Sequence, residues 1–166
     1  MTAERIRDIF GLRNKRLFRL FDMRNPYNRI SQEVWRDRIV FSIAPDVGGT
    51  PNYLLGMGAK KVVVYAEHKG RLTDRRVEWN GRFYIYDILL KYSDDEINNS
   101  ILVMDCDGYE NVVRPSNLIN LFPKWAVTIH AASLEYDNWF DTLGKNGFLI
   151  SNRRKTKTFT NLRLSG

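Results

Sequence analysis

Cysteine is almost absent from this sequence: Cys106 stands alone in 166 residues. One cysteine cannot close an intrachain disulfide or build a multi-cysteine zinc site. Two histidines, His68 and His130, are too few for an all-histidine metal centre, so no metal is expected. No apolar run approaches the roughly 18–20 residues of a membrane span. The first ten residues, MTAERIRDIF, are charged and have no apolar signal core. These absences lead us to expect a soluble, cytoplasmic protein with no membrane partner. The full G-x-G-x-x-G loop is missing, which disfavours a nicotinamide-dependent oxidoreductase, and G-x-x-x-x-G-K-[ST] is missing, which argues against a P-loop nucleotidase. No internal repeat, low-complexity tract or dividing linker interrupts the chain.

Aromatic residues are plentiful, with 9 Phe, 8 Tyr and 4 Trp, so the chain has the means to form a core. Its length suits one domain. The net charge of +7 is unevenly spread. Residues 1–38 carry 10 basic and 5 acidic side chains, residues 39–144 carry 10 and 14, and residues 145–166 carry 6 and none. An acidic middle is therefore flanked by basic ends, which suit contact with nucleic acid or another anionic substrate.

Residues 2–22 place Ile6, Ile9, Phe10, Leu17, Leu20 and Phe21 at helical spacing. A turn at 25–28 and a short helix at 31–36 follow. Five apolar runs then read as strands: 39–43, 62–66, 83–86, 101–104 and 125–129. Helices are expected near 52–57, 88–92, 115–122 and 134–144, and a hairpin closes the chain across 148–151 and 156–164. Apolar strands alternating with helices predict an α/β fold. The expected form is a Rossmann-like, doubly wound, mostly parallel sheet of about seven strands, with N-terminal helices and a C-terminal β-hairpin. The organisation expected is a helical extension, 1–38, packed on a core of 39–166 within a single domain.

Ligands of such sheets bind beyond the carboxyl ends of the strands. Asp46-Val47-Gly48-Gly49 follows the first strand, and Glu67 follows the second, 21 residues after Asp46. Glycine admits close approach of a ligand to the backbone. An acid after the second strand can accept hydrogen bonds from a ribose diol, in either a nicotinamide or an S-adenosylmethionine site. Asp87, Asp105 and His130 are read at the ends of the third, fourth and fifth strands. Asp46 and Asp87 also suit helix caps, His130 suits a structural histidine, and Cys106 suits a buried small side chain.

The ordered blocks Asp46–Gly49 through Glu67, Val103–Glu110 and Thr128–His130 with Gly147–Ile150 resemble class I S-adenosylmethionine-dependent methyltransferases, nearest the FkbM-like group. The resemblance spans about residues 39–151. It implies a methyltransferase, O-directed, using S-adenosylmethionine. It further implies cofactor contacts from Asp46, Gly48, Gly49, Glu67, Asp87 and Asp105, with acceptor chemistry at Asp105, Asp107 and His130. His130 is the expected base, since its ordinary pKa is near neutrality. Met104 and Asp107 stand where the family has Lys and Glu, and an inactive member would carry such departures. The alternative function is a non-catalytic nucleic-acid-binding protein on the same fold.

Overall fold

The computed structural model describes residues 25–43, 49–67, 74–105, 111 and 113–166. The helix expected over 2–22 lies outside these residues, as do Asp46, Gly48, His68, Cys106 and Asp107.

The described chain begins with a short 3-10 helix, Pro26–Arg29, whose start is fixed by the Asn25 side chain accepting from the Tyr27 N–H. Helix α1 follows at Gln32–Trp35. Strand β1 (Ile39–Ile43) leads into helix α2 (Gly49–Gly56), which starts earlier than its sequence suggests. Strands β2 (Lys61–Tyr65) and β3 (Val77–Asn80) precede helices α3 (Ile85–Lys91) and α4 (Asp94–Asn99). Then come β4 (Ile101–Asp105), α5 (Pro115–Leu121), β5 (Trp125–His130) and α6 (Tyr136–Asn146). The hairpin β6 (Phe148–Asn152) and β7 (Thr156–Thr160) ends the sheet.

The strand order is β3-β2-β1-β4-β5-β7-β6. The first five strands pair in parallel, and β7 enters antiparallel between β5 and β6. The sheet is thus mixed, its antiparallel part confined to the hairpin. Strands β1, β2, β4 and β5 are almost wholly buried, as expected for parallel strands covered on both faces.

One face carries Phe41, Leu102, Met104 and Val127, packed under Ile88 of α3, Ile97 of α4, Leu118 of α5, and Trp139 and Leu143 of α6. The other carries Val40, Val62, Val103 and Ala126 under Trp35 of α1 and Leu54 of α2, with Tyr27 and Leu162 alongside. Helix α2 ends in a Schellman arrangement: the Gly58 N–H bonds the Leu55 carbonyl and the Ala59 N–H bonds the Leu54 carbonyl. Gly58 supplies the required positive φ of 99°.

Two expectations are corrected. The run Phe83-Tyr84-Ile85-Tyr86 is not a strand; Ile85 opens α3, and the third strand is the earlier Val77–Asn80. Aromatic and β-branched residues favour strands, but burial decides. Val77 is covered and pairs with Val62, whereas Tyr84 and Tyr86 are exposed by more than half. Asp87 therefore belongs to the first turn of α3 rather than to a strand end. Helix α4 was not anticipated at all.

Candidate functional site

The parallel strands end at one edge of the sheet. Ile43 of β1 pairs with Tyr65 of β2 and Met104 of β4, Tyr65 pairs with Asn80 of β3, and Asp105 of β4 pairs with Thr128 of β5. Neighbouring strand ends thus lie about 4.8 Å apart. Gly49 opens α2 six residues beyond β1, and exposed Glu67 follows β2 by two residues. Just before Glu67, the Ala66 N–H donates to the Asn80 carbonyl at 3.3 Å.

Asp105 and His130 project to the same face. The alternation is set by their neighbours: Met104, Val127 and Ile129 face the helical layer of α3–α6, so Asp105, Thr128 and His130 face the other side. His130 is two residues past the partner of Asp105, which puts their Cα atoms about 8 Å apart by strand geometry. Both are half-buried.

Asp87 reaches this edge by another route. It is half-buried, and its charge acts on the Tyr65 hydroxyl at the end of β2. Burial pushes the Tyr65 phenol well above its ordinary pKa, and the Tyr92, Asp87 and Glu78 side chains add to the shift. Tyr65 keeps its proton at neutral pH and remains a donor. Its ring packs edge-on against Phe83, with centroids 5.3 Å apart.

Three buried polar atoms near this edge have no hydrogen-bond partner among the described residues: Ser42 Oγ, Asn52 Oδ1 and Tyr65 Oη. Ser42 precedes the last residue of β1, Asn52 is in the second half of the first turn of α2, and Tyr65 ends β2. A buried polar group without a partner costs about 1–3 kcal/mol. Ser42 and Asn52 lie on the α2 side of the sheet, whereas the Tyr65 side chain lies on the α3–α6 side, so two of the three orphaned atoms flank the end of β1 and the third lies across the sheet. Sequence reasoning missed all three. Asn80 was also missed, because the third strand had been placed after it. Its amide is engaged internally, donating to Glu78 Oε1 at 3.3 Å and accepting from Lys91 Nζ at 3.4 Å.

The loops after β4 and β5 are joined. Asn111 Oδ1 accepts from Ser133 Oγ at 2.9 Å and from the Leu134 N–H at 3.0 Å. Beside this junction is a polar depression of about 550 Å³, lined by Asn111, Arg114, Ser116, Glu135 and Asn138 among others. No cluster of three metal-ligating side chains occurs among the described residues, and none of their helices is long and apolar enough to cross a membrane.

No family model matches the chain, and no curated protein matches it. Solved structures do. A candidate hemolysin from Lactococcus lactis aligns with a TM-score of 0.53 at 14% identity, over 80% of this chain and 89% of its own. A Streptococcus agalactiae protein of the NADB-Rossmann superfamily aligns at 0.51 and 10% identity, over 81% and 68%. A candidate tRNA (m1A22) methyltransferase of Streptococcus pneumoniae aligns at 0.50 and 10% identity, over 92% and 72%. At these identities the likeness is one of fold: the chain has a Rossmann-like α/β fold that is also found in methyltransferases.

Proposed function

We propose that the protein is an S-adenosylmethionine-dependent methyltransferase, O-directed and of the FkbM-like group. The observation that carries this reading is the shared strand edge. It gathers Gly49 at the start of α2, Glu67 after β2, and Asp105 and His130 at the ends of β4 and β5. The orphaned Asn52 Oδ1, in the first turn of α2, is a polar atom that a bound cofactor could satisfy there.

In this reading Asp46, Gly48 and Gly49 lie along the methionine portion, Glu67 accepts hydrogen bonds from the ribose hydroxyls, and Asp87 lies toward the adenine. S-adenosylmethionine, when bound, supplies an electrophilic methyl group on a sulfonium. His130 removes the proton of an acceptor hydroxyl, as general base. Asp105 and Asp107 orient that acceptor, and holding it in line provides much of the rate.

Calorimetric titration with S-adenosylhomocysteine tests the reading. The folded protein should bind it, and Glu67→Ala should weaken binding by about 1–3 kcal/mol through lost hydrogen bonds. Folded protein that shows no binding heat overturns the proposal. A second reading, a non-catalytic nucleic-acid-binding protein on this fold, draws on the exposed cationic turn after β6. It expects oligonucleotide binding without binding of the cofactor product.

A further inference from the structure

The turn between β6 and β7 returns to the same edge as the candidate site. Because β7 runs antiparallel to β5, its first residue, Thr156, pairs with His130, the last residue of β5. The Ala131 N–H donates to the Lys155 carbonyl at 2.9 Å. The Arg153 N–H donates to the Thr156 carbonyl at 2.9 Å and closes the turn. From Lys155 the contacts run on through the loop after β5 to Asn111, which holds Ser133 and Leu134. Turn, loop and polar depression therefore form a strip that starts beside His130 and ends at the depression between the starts of α5 and α6.

The strip is cationic at the turn. Residues 152–157 read Asn-Arg-Arg-Lys-Thr-Lys, and 145–166 hold no acid. Asn152, Arg153, Arg154 and Lys155 are exposed. Lys157 Nζ bonds the Asn152 side chain and the Arg153 carbonyl, which stiffens the turn from beneath. Among the described residues, no carboxylate forms an ion pair with Arg154 or Lys155. Like charges held this close repel one another, and an arriving polyanion would relieve that repulsion.

We infer that this turn grips the phosphodiester backbone of a single-stranded nucleic acid and presents one nucleotide to the polar depression reached through the loop after β5. Three features favour this ligand. Arg153, Arg154 and Lys155 are consecutive and exposed on a hairpin turn, which suits a strand passing over it better than a small anion that needs enclosing. The turn bears no apolar side chain that could enter a lipid bilayer. The depression offers amide, hydroxyl, guanidinium and carboxylate groups, the donor and acceptor types that read base edges. As a statement about the acceptor, the inference rests on the methyltransferase reading; as a statement about binding, it is tested alone.

Fluorescence anisotropy with a labelled 12-nucleotide single-stranded RNA, and with DNA of the same sequence, provides the test. Affinity should fall steeply as salt rises from about 50 to 200 mM. The double variant Arg154→Ala/Lys155→Ala should weaken binding at least tenfold and make the logarithmic salt slope shallower by about 1.4, two contacts at about 0.7 each on a single strand. The control Lys60→Ala/Arg75→Ala alters exposed cations at the opposite ends of the strands and should leave both values unchanged. An unchanged melting temperature confirms that the turn variant folds. The inference is overturned if neither oligonucleotide binds, if the two double variants weaken binding equally, or if only anionic vesicles bind. Binding of S-adenosylhomocysteine without oligonucleotide defeats this inference alone. Oligonucleotide binding without S-adenosylhomocysteine defeats the methyltransferase reading and leaves the turn as a binding site.

Discussion

Gly147, at the junction of α6 and β6, has an extended backbone with a φ of −165° that any residue could adopt. What excludes other residues is space. A Cβ there would lie 2.6 Å from the Thr160 carbonyl oxygen and 2.6 Å from Trp125 Cη2. Both neighbours are fixed: Trp125 is fully buried, and the Thr160 side chain bonds the Trp125 carbonyl at 2.9 Å. Gly147→Ala should destabilise the fold by about 1–3 kcal/mol, as overpacking does, which a denaturant unfolding curve would measure. An unfolding midpoint equal to the wild type would show that β6 moves aside freely. The sequence marks this glycine only as part of Gly147-Phe148-Leu149-Ile150; the reason for it depends on a tryptophan 22 residues earlier and a threonine 13 residues later. Glu67 is the opposite case. Its place after the second strand was legible because spacing along the chain determines it. Asn52 and Tyr65 were not, since their unmet hydrogen bonds arise only when helices close over the two faces of the sheet.

Strand β3 is held to β2 by charge as well as by its backbone. Lys61 Nζ meets Glu78 Oε2 at 2.5 Å, and Lys91 Nζ approaches Oε1 at 4.0 Å. Burial alone would raise the Glu78 carboxyl, but the hydrogen bonds from Lys61 and Asn80 hold it below its ordinary pKa. A carboxyl depressed by folding stabilises the native state above its unfolded pKa. That contribution fades as the pH falls through the lower folded value. Glu78→Gln should therefore lower stability at pH 7 by up to about 1 kcal/mol, the scale of a partly exposed pair. The difference from wild type should shrink as the solution is acidified to about pH 3. Unfolding curves at both pH values check this, and a difference that grows on acidification would contradict it. The same strand shows where sequence patterns mislead. Val77-Glu78-Trp79-Asn80 is short and only half-buried, so its alternation is outweighed by the aromatic run six residues later. Helix α4 did leave a signal. Ser93 and Glu96 form a capping box, with the Ser93 N–H donating to Glu96 Oε2 at 2.9 Å and the Glu96 N–H to Ser93 Oγ at 3.3 Å. That pairing, rather than the acid-rich helix itself, was the readable feature.

Across the whole molecule, protection should follow position in the sheet. Strands β1 and β4 lie at its centre with both faces covered, whereas β3 and β6 are edges. Hydrogen exchange should be slowest at the amides of β1 and β4 and fastest among the strands at β3 and β6. Uniform protection across all seven would show that the sheet opens only as a unit. The alternation of strand and helix was legible in the sequence because burial on both faces leaves near-continuous apolar runs. The inversion of the last two strands was not, because a hairpin reads the same whichever of its strands faces inward. That inversion constrains the order of events during synthesis. Strand β6 leaves the ribosome before β7, yet among the described residues its only partner in the sheet is β7. Residues 29–31 must wait as well: the Ser31 N–H bonds the Arg163 carbonyl, the Ser165 N–H bonds the Arg29 carbonyl, and Ile30 bridges to Leu164. A ribosome stalled after residue 152 would therefore hold a chain with β5 as an open sheet edge and the 25–31 segment undocked, so the stretch from 153 to 165 completes both ends of the fold at once.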